Sequence, residues 1–142
     1  DAIIAIKIKS SRMLLAYGLS KSGSDWEEFH VRDVATGKDR EDILHWVKFS
    51  GASWAKDGSG FYYALQSRET GIRIRYHGLG TSTSHDPEVF GGGYEPSAWV
   101  GARVSENGRH VLFDVQALRQ QPDLPRGIAS QLDRCRPISE LF

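Results

Sequence analysis

Gly51-Ala52-Ser53-Trp54-Ala55 carries the glycine and serine spacing of a nucleophile elbow, the turn from which a serine attacks a carbonyl. Such an elbow needs a strand, a sharp turn and then a helix that lifts the serine above its sheet. Here the turn pair Asp57-Gly58 and a run of aromatic residues follow, so Ser53 is expected to be an ordinary strand serine. The five histidines, at 30, 45, 77, 85 and 110, show none of the spacings that bring ligands to one metal ion. His85-Asp86 is the nearest to a catalytic or ligating pair, but adjacent strand residues point to opposite faces. No metal site and no cofactor are expected. Gly91-Gly92-Gly93 lacks the lysine and hydroxyl residue of a phosphate-binding loop and reads as a turn. Cys135 is the single cysteine, with no partner for a disulfide or a metal knuckle; it is expected to be an inert thiol, and such cysteine usage is compatible with a reducing compartment without proving one. Trp26, Trp46, Trp54 and Trp99 could stack on a ligand, but aromatic residues ordinarily fill the core, and that is the expectation here.

Composition narrows the class. A chain of 142 residues is ordinarily one domain, and at that size roughly two thirds of the unfolded surface is buried on folding. Eighteen basic residues balance 18 acidic ones and 39% of residues are hydrophobic, which points to a soluble globular chain and away from nucleic-acid or membrane-surface partners. No run approaches the roughly 18 apolar residues of a membrane span. The opening DAIIAIKIKS lacks a signal peptide's charged start and cleavage site. A cytoplasmic setting is expected, with a periplasmic one open because the chain begins without methionine and a leader could lie upstream.

The elements that would hold these residues repeat. SRMLLAY (11–17), DGSGFYY (57–63) and NGRHVLF (107–113) superpose so that Tyr17, Tyr63 and Phe113 coincide, at spacings of 46 and 50 residues. Asp57-Gly58 and Asn107-Gly108 are hairpin dipeptides that accept positive φ, and each precedes a β-forming run. The first copy has Ser11-Arg12 instead, so its hairpin is the weakest of the three. Between hairpins, 29–34 runs into the turn Ala35-Thr36-Gly37 and 43–49 follows as an apolar strand. In the second unit Ile72, Ile74 and Tyr76 alternate with Arg73, Arg75 and His77, a period of two, before a turn at 78–81. Four short strands per 45 to 50 residues, with no helical periodicity to about residue 115, is the pattern of a β-propeller blade. The expected fold is all-β: about two and a half four-stranded blades.

At this point a family resemblance enters. Leu15-Ala16-Tyr17-Gly18-Leu19-Ser20, Ser22-Gly23-Ser24-Asp25-Trp26, Trp46-Val47-Lys48-Phe49-Ser50-Gly51 and Tyr76-His77 with Leu79-Gly80-Thr81 resemble, in order, landmarks of the prolyl oligopeptidase propeller. The likeness covers roughly 8–115. It implies a seven-bladed propeller over an α/β-hydrolase domain, restricting access to short proline-containing peptides, with the catalytic Ser, Asp and His in the hydrolase domain and none in this chain. It also implies that the strand Gly60-Phe61-Tyr62-Tyr63 reaches toward the substrate pocket with an aromatic ring, and Tyr62 is the matching residue. A one-residue slip would reverse its face, so a buried or rim aromatic stays open as the alternative.

Two departures bear on that carry-over. The segment 65–74 is shorter than the family's, so a surface loop is trimmed. After Val115 the likeness stops: residues 116–142 hold three of five prolines and no aromatic before Phe142. Domain boundaries are therefore drawn at 1–115, a partial propeller, and 116–142, a divergent tail that is frameshifted, disordered or a genuine tail. Codons for 118–125 can be chosen so that a neighbouring frame reads GNNRIFL, a family-like strand, and sequencing the gene tests this. An open arc leaves blade faces uncovered, so the chain alone is expected to be marginal in stability, to self-associate through exposed blade edges and to lack peptidase activity. The function expected is part of the substrate-gating propeller of a serine peptidase. A propeller-type protein-binding module and an inactive product of a truncated gene are the alternatives.

Overall fold

A computed structural model describes residues 2–9, 13–47, 50–119 and 127–142, and these form three antiparallel sheets. The first runs in spatial order β1 (Ala2–Lys9), β2 (Leu14–Ser20), β3 (Glu27–Asp33) and β4 (Lys38–Val47). The second contains β5 (Ser53–Trp54), β6 (Gly60–Ser67), β7 (Gly71–Gly78) and β8 (Glu88–Phe90). The third contains β9 (Trp99–Val104), β10 (His110–Arg119) and β11 (Gly127–Pro137), with β10 central. Single 3-10 turns cover Thr83–His85 and Ile138–Glu140. Each sheet is a meander of neighbouring strands, and β5 touches both β1 and β9, which places the first strands of successive sheets side by side. This is a β-propeller fragment, as the repeat predicts.

The hairpins confirm the repeat residue by residue. Tyr17, Tyr63 and Phe113 lie on β2, β6 and β10, the second strand of each sheet. Ala55 and Gly60 close one hairpin and Ser105 and His110 the other, both by backbone N–H···O bonds of 2.9 Å. In each loop only the glycine takes positive φ, 73° at Gly58 and 71° at Gly108. The preceding Asp57 and Asn107 instead accept backbone N–H bonds two residues on, from Ser59 and Arg109. The first hairpin's Ser11-Arg12 lies outside the described residues.

Two cores separate the sheets. Phe29, Val31, Leu44, Val47, Trp54, Phe61 and Tyr63 form the first, between the first and second sheets. Tyr62, Ile72, Ile74, Val100, Val111, Phe113 and Val115 form the second, between the second and third. Strand β6 explains the division, because its side chains alternate: Phe61 and Tyr63 enter the first core and Tyr62 the second. All three are nearly inaccessible, so this strand has no solvent face along that stretch. The same two-sidedness alters the reading of β7. His77 shares its register with Arg73 and Arg75 but is 0% exposed, because the neighbouring sheet covers that face as well.

Of the four tryptophans expected in the core, only Trp54 is there, at 9% exposure. Trp26, Trp46 and Trp99 are exposed. For Trp46 the cause is local. Between the pairs Glu27 with Val47 and Phe29 with Leu44, β4 carries one residue more than β3, and Trp46 has φ 61°. A bulge with a residue in the left-handed region re-aims its side chain out of the pleat.

Beyond Val115, β10 continues to Arg119 and pairs along its length with β11. Ile138 and Leu141 pack against the second core.

Candidate functional site at the seams between the sheets

The first seam holds a buried polar chain. His77 Nε2 lies 3.0 Å from Asp42 Oδ1 on β4, and His77 Nδ1 lies 3.0 Å from Asp86 Oδ1. Asp42 also accepts from the Gly80 backbone N–H at 2.6 Å and from Arg40 Nε at 3.1 Å. Tyr63 completes the chain by donating its hydroxyl to Asp86 Oδ2 at 2.8 Å. Each ring nitrogen of His77 thus faces a carboxylate oxygen, one from each sheet-edge segment, and Arg40 pairs with Asp42 from the outer side. Burial pushes the Asp42 carboxyl upward, but the bonds from Gly80, His77 and Arg40 outweigh it and hold the group below the usual carboxylate range.

This chain ties the second sheet to the first, and its sequence signal was present but divided. His77 stands in the alternating strand, Asp42 lies 35 residues before it and Asp86 nine residues after it. No spacing motif joins three residues brought together by sheet packing. His85-Asp86 is also placed differently from the strand pair it suggests: His85 ends the 3-10 turn 83–85, and Asp86 follows as its C-cap. Asp86 turns inward to His77. Among the described residues no group of three His, Cys, Asp or Glu is arranged to hold a metal ion.

The second seam opens into a cavity of about 620 Å³ lined by Tyr62, Tyr76, Pro87, Ile138 and Phe142, with Asp57, Ser59 and His85 among its polar residues. Tyr62 is 1% exposed and its ring lies 5.0 Å from that of Tyr76. Burial, with lesser contributions from Tyr76 and Asp57, pushes the Tyr62 hydroxyl up to about 12. It is therefore a neutral phenol at physiological pH. Phe142 meets Tyr76 edge to face at 5.1 Å between ring centres.

The remaining sequence candidates are structural. Ser53 sits on β5 with a second strand after it, and its hydroxyl oxygen accepts the Val104 backbone N–H at 3.0 Å, binding the second sheet to the third. Gly91 and Gly93, at φ 116° and 87°, open the connection from β8 to β9. Cys135 is an exposed free thiol on β11.

On the first sheet, Trp26 and Trp46 meet edge to face, 5.9 Å between ring centres at 82°. Glu28 beside them binds Lys21 at 3.1 Å and His45 at 3.2 Å, and the Lys21 bond lowers its carboxyl below the ordinary range. Glu27 differs. It is buried, its Oε2 has no hydrogen-bond partner among the described residues, and burial pushes its carboxyl up.

The comparisons with known proteins agree with this architecture. A family model described as prolyl oligopeptidase, N-terminal beta-propeller domain, matches residues 2–120. A prolyl endopeptidase of Elizabethkingia meningoseptica is 30% identical over 120 residues, 78% of this chain and 17% of its own length. Prolyl oligopeptidase A of Amanita bisporigera is 35% identical over 124 residues, 69% of this chain and 16% of its own. The chain thus spans about a sixth of these relatives. One of two prolyl endopeptidases solved for the role of inter-domain dynamics superposes over 96% of this chain and 19% of its own, with a TM-score of 0.79 and 29% identity. The apo form of prolyl oligopeptidase B from Galerina marginata superposes over 80% of this chain and 18% of its own, at 0.69 and 27%. With three meander sheets arranged side by side and a family match over most of its residues, this chain belongs to the prolyl oligopeptidase N-terminal β-propeller family.

Proposed function

We propose that this chain is part of the substrate-gating propeller of a prolyl-oligopeptidase-like serine peptidase and supplies no catalytic group. In the intact enzyme, cleavage of short proline-containing peptides would proceed through an acyl-enzyme on a separate hydrolase domain. The observation that carries this reading is the use made of Ser53. The one serine with an elbow-like sequence accepts a backbone N–H from the next sheet, between two strands, so its role is to join blades. Within the gate, Tyr62 and Tyr76 form an aromatic wall of the cavity of about 620 Å³, and we assign Tyr62 to contact with the incoming peptide through the small part of its ring that lines this cavity, the rest being held in the second core. Its raised phenol keeps that wall uncharged.

The test is a chimera in which these residues replace their counterparts in the E. meningoseptica prolyl endopeptidase. Retained cleavage of short proline peptides, with long ones still excluded, supports the gate. Hydrolysis by the chain alone, or loss of length selection in a folded chimera, overturns it.

A further inference from the structure

Glu27 Oε2, buried and without a hydrogen bond among the described residues, sits in a specific setting. Trp26, Trp46, Lys21, Glu28 and His45 line a cavity of about 200 Å³ together with Glu27. Glu27 is 4% exposed, and among the described residues no hydrogen bond satisfies its Oε2. A buried charge without a partner is costly, and native structures rarely leave one without a reason. The fold makes space for it: a Cβ on Gly18 would lie 2.6 Å from that oxygen. Among the described residues lining the cavity, Lys21 and His45 do not serve it, since both turn to Glu28. The bulge at Trp46, meanwhile, holds an exposed indole against Trp26 at the same cavity.

An acidic group beside two indoles fits one ligand chemistry. Ring faces attract organic cations, and a carboxylate supplies the opposite charge that a bare aromatic surface lacks. We propose that the Trp26–Trp46 corner is a binding site for an organic cation, an ammonium or guanidinium group that packs on the indoles and pairs with Glu27. The cation would come from a basic side chain or from the free amino terminus of a peptide. This goes beyond the gating role and stands or falls separately, because it needs only the first sheet and its bulge.

Titration of the 142-residue chain, followed by tryptophan fluorescence, tests it with three probes: Nα-acetyl-arginine amide, alanyl-alanine amide and uncharged Nα-acetyl-norleucine amide. Saturable binding of the first two or either of them, with no response to the third, is expected. The preferred cationic probe identifies the source. Glu27→Gln should weaken binding about ten-fold and Trp46→Ala about five-fold, the sizes expected of one charge pair and one cation–ring contact. Glu27→Gln removes an unpaired buried charge and keeps the shape, so circular dichroism should show the fold intact. Norleucine amide binding as well as the cations, unchanged binding in Glu27→Gln, or no saturation of either cation at concentrations on the order of tens of millimolar overturns the proposal.

Discussion

Asp42 on β4 and His77 on β7 meet at 3.0 Å across the seam between two sheets, with side chains 2% and 0% exposed. Removing one member leaves the other's polar atoms buried without that partner. Asp42→Ala should cost about 3 kcal/mol, a large share of the roughly 5–15 kcal/mol by which domains are ordinarily stable. Urea titration with circular dichroism reads the loss. Replacing Asp42, His77 and Asp86 together by apolar residues of similar volume should recover much of it, and an equal loss in the triple variant would show that the polar chain is not what matters.

Asp42 also sets an acid limit. Its carboxyl is held below its unfolded value, so the stabilisation is complete above about pH 4 and disappears as pH falls through the depressed folded value. Asp42→Asn should flatten this acid limb. Glu27 has the opposite sign, because burial raises its carboxyl: stability falls as pH rises from about 4.3 toward the raised value. Glu27→Gln should remove that fall and stabilise the chain at pH 7 by about 1 kcal/mol. Thermal melts across pH give both slopes.

Tyr17 and Tyr63 are equivalent residues of successive blades, and both donate to an aspartate, Asp39 at 2.7 Å and Asp86 at 2.8 Å. Their losses should differ. Asp39 is half-exposed and keeps Arg32 at 2.8 Å, whereas Asp86 is buried. Tyr63→Phe should cost about 2 kcal/mol and Tyr17→Phe under about 1 kcal/mol. Equal losses in urea would contradict the burial argument.

Gly60 is required by close approach. A Cβ there would lie 2.2 Å from the His77 carbonyl oxygen, whereas nothing stands within 4 Å of one at Gly51. Gly60→Ala should destabilise by roughly 1–3 kcal/mol, with Gly51→Ala close to neutral.

The tail is a structural partner on this reading. Deleting 127–142 would remove β11 from β10 and take Ile138 and Leu141 from the second core. The shortened chain should aggregate through its bared edge more than the full chain does. We also expect the full chain to self-associate, and a cooperative soluble monomer by sedimentation and calorimetry would refute that.

How far the sequence led depended on whether a feature was local. The turns at Gly58 and Gly108 and the alignment of Tyr17, Tyr63 and Phe113 were legible, because hairpins are closed by neighbours in sequence. The His77 chain was not, since its three residues span two sheets and share no motif. Trp46 misled because a strand tryptophan reads as core unless a bulge is known, and one extra residue of β4 decides that. Glu27 has the composition of a solvated charge and reveals itself only through burial.

The alternation along β6 has a consequence for how such an arc grows. Because Phe61 and Tyr63 fill one core and Tyr62 the other, stability is stored between units more than within them. The chain then behaves as a short polymer of nearest-neighbour couplings. Each added unit contributes one more coupling, and closing the ring adds a final one without adding a unit. A one-residue deletion within β6 would exchange its inward and outward rings and break two couplings at once.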